Sequence, residues 1–384
     1  MRRLWTAPFL FAGLLALALD PAPVGAQTAV KPSPEAFNTA DGVRLKGLFY
    51  KSPNGNKQGD AVVMLLYPPG AENTMLKGNW DPLIDSLTTE GFHVFRFDWR
   101  GHGESTDIVD PLGNGIPIFN VLYNGFFTNH ITGGWNQKYV KGGTNLKKAA
   151  NEIKVKNGGI TSPLYYPVYA NDLAAARLHL DLKNDNSELN TSSIYVVGAG
   201  DSATLGMMWL ASEWQRPDVA PMLPQGLQYM STPMRGIIAV QPAGGDIAGA
   251  VWLGASRNTR ANIPDAAIMG WAKSALKLRD NNKMLFIHGT DAASTREAKF
   301  FYDQVLVAGG NKAAQVNGVE QTFKLEFKTN LNGVSMLGSK DVNAEAKIVE
   351  YLKARQKDRV NMVRKNRNYT TPYHVDVNYF LALR

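Results

Sequence analysis

Ser202 stands in the run Gly198-Ala199-Gly200-Asp201-Ser202, directly after the apolar stretch Ile194-Tyr195-Val196-Val197. A hydroxyl held at a tight strand-to-helix turn becomes a nucleophile when an imidazole takes its proton and a carboxylate orients that imidazole. Asp291, after Met284-Leu-Phe-Ile-His288-Gly289-Thr290, is a candidate carboxylate. The six histidines are His93, His102, His130, His179, His288 and His374. His93 at a strand start and His179 on a helix face read as structural or surface residues. His102, His130 and His288 are the candidates for a base. The chain has no cysteine, which excludes a thiol nucleophile, disulfides and Cys-based metal sites. No H-x-x-x-H or H-E-x-x-H spacing occurs, so no metal is expected. Gly198-Ala199-Gly200 follows a strand as a dinucleotide turn would, but Ala203 stands where the third glycine is needed, so no cofactor is expected either.

These residues require elements to hold them. Apolar runs at 61–67 and 193–197 have the continuous character of strands buried on both faces. Segments 42–50, 92–98, 248–255, 284–288 and 322–328 read as further strands. Helical spacing or composition marks 80–90, 169–182, 203–214, 264–278, 294–307 and 341–354. Gly91 suits a helix C-terminus, and Pro264 suits a helix start. Strands alternating with helices predict an α/β class: a mostly parallel central sheet with helices on both faces. Residues 27–34 read as a linker. Residues 106–165 and 215–246 break the rhythm, and the first is long enough to be a cap over a site.

The run Phe97-Asp98-Trp99-Arg100-Gly101-His102-Gly103-Glu104-Ser105 resembles the D-x-R-G-x-G-x-S turn after strand 4 of the α/β hydrolases. With Ile194–Gly198 as the strand before a nucleophile elbow, Met284–Asp291 as strand 7 and its acid, and Asp341–Ala354 as the closing helix, the order matches that superfamily over residues 36–355. The resemblance implies an α/β-hydrolase domain over 35–358, with 106–165 as an insert after strand 4, and ester or amide hydrolysis by a Ser-His-Asp set.

The catalytic parts match less well than the fold. Small residues must flank the nucleophile at an elbow. Counting from Gly198 puts Gly200, which has no side chain, at that position. Counting from Gly200 gives Gly200-Asp201-Ser202-Ala203-Thr204, similar to the G-D-S-A-G elbow of hormone-sensitive-lipase-like esterases with Thr204 in place of the last glycine. The strand's apolar residues end two positions early for this second register, which favours Gly200; Ser202 would then be a helix-start residue. The loop after strand 8, Thr329 to Leu337, has Asn332 but no histidine. The loop expected to supply an oxyanion N–H reads Tyr67-Pro68-Pro69-Gly70-Ala71. Proline donates no N–H, so only Gly70 or Ala71 could serve. Asp291 follows Gly289 by two residues where three is commoner. The expectation is therefore a hydrolase-shaped protein that is non-catalytic or atypical and binds a small or polymeric ligand. The insert aromatics Tyr123, Phe126, Phe127, Trp135, Tyr139, Tyr165 and Tyr166 would line its site. The alternative is an active hydrolase using Ser202 and Asp291 with a displaced histidine such as His102, His130 or His288.

Composition sets the surroundings. Of 384 residues, 44% are hydrophobic and 19% charged, enough for a full core. Arg2-Arg3, an apolar run from Phe9 to Leu19, and Val24-Gly25-Ala26 have the layout of a signal peptide over 1–26. A secreted or periplasmic protein starting near Gln27 is expected. The net charge of +8 is uneven: Lys353, Arg355, Lys357, Arg359, Arg364, Lys365 and Arg367 face Asp358 alone. This basic cluster over 353–367, running into a tail over 359–384, suggests an anionic envelope surface as partner rather than nucleic acid.

Overall fold

The computed structural model describes residues 30–40, 42–55, 60–70, 74–109, 152–154, 165–216, 243–257, 262–275, 278, 281–306, 315–316, 319–320, 322–359, 361–362, 364–368, 373, 375 and 380. The expected signal peptide, most of the 106–165 insert and residues 217–242 lie outside them.

Eight strands carry the architecture: β1 (Ser33–Asn38), β2 (Val43–Tyr50), β3 (Val62–Leu66), β4 (His93–Phe97), β5 (Ile194–Ala199), β6 (Ile247–Leu253), β7 (Met284–Gly289) and β8 (Thr322–Phe327). They lie side by side in the order β1-β2-β4-β3-β5-β6-β7-β8. The pairs β1–β2 and β2–β4 are antiparallel, and every pair from β4 onward is parallel. A two-residue strand, Asp107–Ile108, adds to β2. Every residue of β3, β4, β5, β6 and β7 is buried, as continuous apolar runs in a sheet covered on both sides require.

The helices are α1 (Asp81–Thr89), α2 (Ala170–Asp185), α3 (Asp201–Trp214), α4 (Asp265–Ser274), α5 (Ala292–Lys299) and α6 (Ala344–Lys357). α1 packs with α6; α2 packs with α3, and α3 with α4, giving a layer on each face of the sheet. Among the described residues no helix is long and apolar enough to cross a membrane.

Several elements depart from expectation; α4, for one, ends at Ser274 rather than 278, and α2 runs on to Asp185. β1 takes in Ser33 and Pro34, which read as linker; as an edge strand it needs ladder hydrogen bonds on one side only, so proline is tolerated. α5 begins two residues early and continues as a wider π-type turn over Phe300–Leu306, which buries both Phe300 and Phe301. The last helix starts three residues late and runs three further, because Asn343 in the left-handed region turns the chain into it.

The described part of the 359–384 tail is laced to the body. Arg359 bonds the Ser192 and Gly245 carbonyls, and Arg364 the Asn184 carbonyl. The N–H groups of Arg367 and Asn368 each donate to the Asp185 carboxylate at 2.8 Å. Tyr373, Val375 and Phe380 are buried. Trp271 Nε1 donates to the Phe380 carbonyl at 2.8 Å, and the Val375 N–H to Asn171 at 2.7 Å. Beneath the tail lies a buried charge network. Arg177 bonds Asp181 and Asp246, Arg216 bonds Glu213, and the Tyr373 hydroxyl donates to Glu213 at 2.6 Å. Of the basic cluster over 353–367, Arg359, Arg364 and Arg367 thus face inward, Arg355 lies over the Phe323 and Tyr351 rings, and Lys353 pairs with Glu90.

Candidate functional site

The carboxyl ends of the parallel strands form the edge where α/β proteins place their ligands. At the end of β5 the chain turns into α3 through Gly200, at φ 57° and ψ −125°. An L residue adopts that region only under strain, so the turn selects glycine unless another residue is held there by function. A Cβ built on Gly200 would stand 3.3 Å from Pro68 Cγ, so the proline-bearing loop after β3 lies against the apex. The Gly200 N–H donates to the Leu253 carbonyl, and its own carbonyl accepts from the N–H of Ser256 and of Ala203. The apex is thus tied to β6 and to its own helix. A sharp turn of this kind after the fifth strand, on a sheet ordered 1-2-4-3-5-6-7-8, has one reading. This is an α/β-hydrolase fold.

No family model matches the chain. The Escherichia coli protein YfhR, uncharacterised, is 34% identical over 77 residues. That match spans 20% of this chain and 26% of the length of the curated relative. An esterase of Pyrococcus furiosus is 14% identical over 85% of this chain and 91% of its own, with a TM-score of 0.43. Porphyromonas gingivalis dipeptidyl peptidase 4 is 13% identical over 85% of this chain and 36% of its own, with a TM-score of 0.47. The esterase Est22 is 12% identical over 85% and 81%, with a TM-score of 0.46. The fold assignment rests on the strand order and the elbow.

Ser202 sits in the first turn of α3, fully buried. Its Oγ accepts from the Ala199 N–H at 2.9 Å and lies 2.6 Å and 2.8 Å from the carbonyl oxygens of Leu66 and Ala199. The single hydroxyl proton is shared between those carbonyls, so the side chain staples the end of β3 to the end of β5. Asp291 follows β7 and caps α5: its Oδ1 accepts the Ala293 N–H at 3.0 Å.

The histidines go elsewhere. His102 is buried in the turn after β4, with Nδ1 2.9 Å from the Arg100 carbonyl, which makes Nδ1 the protonated nitrogen. His288, buried in β7, is arranged alike: Nδ1 lies 2.8 Å from the Gly289 carbonyl and Nε2 3.9 Å from Glu326. His93 is at the opposite, amino end of the sheet, between the Ser52 N–H and Asp60; burial, with Lys51 nearby, pushes its imidazole down to about 4. His130 and His374 lie outside the described residues. In the loop after β8, Asn332 caps the short helical turn Gly333–Met336 by accepting the Gly333 N–H at 2.9 Å. Its amide oxygen would be 1.9 Å from a Cβ on Gly254, a residue at φ +53°, so the loop after β6 is glycine because Asn332 packs against it.

Gly70 is buried at the end of the β3 loop, and Ala71 lies outside the described residues. Of the aromatic residues expected to line a site, Tyr165 and Tyr166 are buried in the packing around Tyr169, and the Tyr166 hydroxyl donates to the Asp201 carbonyl at 2.7 Å. The other five lie outside the described residues.

Sequence reasoning missed Arg257, three residues past Gly254. Its backbone N–H and Nε donate to Glu297 at 2.9 Å and 3.1 Å, NH1 donates to Asp265 at 2.7 Å, and its guanidinium lies 4.5 Å over the Phe300 ring. An arginine in the loop after β6 carries no local signal. Its partners, 8 and 40 positions away, become neighbours only through the fold.

Proposed function

We propose that this chain is an exported α/β-hydrolase-fold protein that does not run serine-hydrolase chemistry and binds a ligand at the carboxyl edge of its sheet. The observation that carries the reading is Gly200 at the elbow apex. With no side chain there, the turn presents no nucleophile. Ser202, the nearest hydroxyl along the chain, is buried with its proton held by backbone carbonyls. Asn332, in the loop where the fold's base belongs, is a neutral amide that cannot take a proton at neutral pH. Asp291 caps a helix. What remains is the scaffold: an edge of turns held by hydrogen bonds, able to bind without reacting.

The test is a fluorophosphonate probe with p-nitrophenyl esters, applied to the wild type and to Ser202→Ala. Neither protein is expected to label or turn over ester. Ser202→Ala is expected to lose about 1–2 kcal/mol of stability in urea unfolding, because the Ala199 N–H and the Leu66 carbonyl lose a buried partner. Labelling of the wild type that disappears in Ser202→Ala overturns the reading in favour of an esterase or amidase with a displaced histidine.

A further inference from the structure

The carboxyl ends of β6 and β7 border two adjoining clefts separated by Arg257 and Arg296. One, of about 460 Å³, is lined by Arg257, Thr290, Thr295, Arg296, Lys299, Phe300 and Gln304. The other, of about 370 Å³, includes Asp265 and Glu297 in its wall. The charge is therefore sorted. Both carboxylates that fix Arg257 face the second cleft, while the first presents three cations, two hydroxyls, an amide and one aromatic ring, with no carboxylate.

The geometry prepares the first cleft for a ligand. Arg257 is immobilised by Glu297, Asp265 and the Phe300 ring, so ordering it on binding costs little further entropy. Arg296 and Lys299 are three residues apart on α5 and share one face of that helix. Arg296 is 70% exposed, with Nε 4.0 Å from Glu297, so its charge lies at the mouth with most of the guanidinium open to solvent. The volume suits a small molecule. Guanidinium and ammonium groups with hydroxyl donors recognise oxyanions.

We propose that this cleft binds a small oxyanion, the phosphate or carboxylate group of an organic molecule. The proposal rests on the reading that the carboxyl edge binds rather than reacts, and it names the ligand class for that edge. Arg257, Arg296 and Lys299 would hold the charged head, with Thr290 and Thr295 as hydroxyl donors beside them.

The experiment is calorimetric titration of the full chain with phenyl phosphate, benzoate and inorganic phosphate, at low and moderate salt. Saturable binding of phenyl phosphate or benzoate is expected. Arg296→Ala/Lys299→Ala should weaken it at least about tenfold, and added salt should weaken it further. Both side chains are exposed, and unchanged thermal unfolding confirms that the double variant folds. Lys347→Ala, an exposed lysine on α6, should bind as the wild type does. Preference for phenyl phosphate assigns a phosphoryl head, and preference for benzoate a carboxylate. Absence of saturable binding overturns the proposal, as does an equal loss in Lys347→Ala, which would mean diffuse attraction to a basic protein. Fluorophosphonate labelling of the same samples reports separately on the serine, so failure of the anion site and failure of the non-catalytic reading are told apart.

Discussion

The turn that closes β4 and the turn that closes β5 flank β3 on one edge of the sheet, and they have met different fates. The first keeps the whole pattern Asp98 to Ser105, and nearly every polar group in it has a partner. Asp98 accepts from the N–H of Met75 and Glu104 and from the Tyr67 hydroxyl. Ser105 Oγ donates to the Asp98 carbonyl and accepts the Lys46 N–H. Arg100 pairs with Asp172 at 2.6 Å, both fully buried. The second turn keeps its backbone course and has glycine at the apex. Residues that position the edge and residues that would react on it are thus separable: one set can be complete while the other is missing.

The sharpest way to break this comparison is Asp172→Ala. It leaves Arg100 as a buried charge without its carboxylate and should cost about 3–5 kcal/mol, read from urea unfolding. A small loss would mean that the β4 turn is not the anchor its bonds describe. Next comes Gly200→Ser, which restores a hydroxyl to the apex. The positive φ and the nearness of Pro68 should cost about 1–3 kcal/mol, and p-nitrophenyl acetate should still not be turned over, because Asn332 cannot act as base. Turnover above background would show that the reactive set is complete but for one side chain.

The smallest effect is the pH response of Asp98. Burial pushes its carboxyl up from the ordinary range, against the pull of the Met75 and Glu104 N–H groups. The folded state then holds that proton more tightly than the unfolded one. Stability should fall as pH rises from the ordinary carboxylate value of 3.8 through the raised one. Asp98→Asn should lack that slope, and equal slopes in the two proteins would remove Asp98 as its source.

Much of this was legible in the chain. Continuous apolar runs such as 61–67 gave β3 because a strand buried on both faces admits little else, and the D-x-R-G pattern marked the β4 turn because its side chains bond within a few residues of one another. The apolar run ending at Val197 indicated Gly200 as the apex, since a short turn leaves few registers. What the sequence hid depends on distant partners. The edge strand β1 contains Pro34 and gains its identity only from pairing with β2. The tail's basic residues looked like a surface patch because Asp246 and the carbonyls that receive them lie on other elements. The charge sorting around Arg257 appears only once β6, α4 and α5 converge.

The docked tail has a consequence for the order of events in folding. Arg177, Glu213 and Arg216 are all in place along the chain by residue 216, yet Glu213 meets the Tyr373 hydroxyl only when the last part of the sequence arrives. Trp271 likewise waits for Phe380. Domains that need late residues to finish an early core stay incomplete through synthesis. A chain emerging amino end first therefore cannot close these contacts until Tyr373 and Phe380 have been made. Its native state is latched by residues that come 160 positions and more after Glu213, and a chain held short of them has no finished fold to lose.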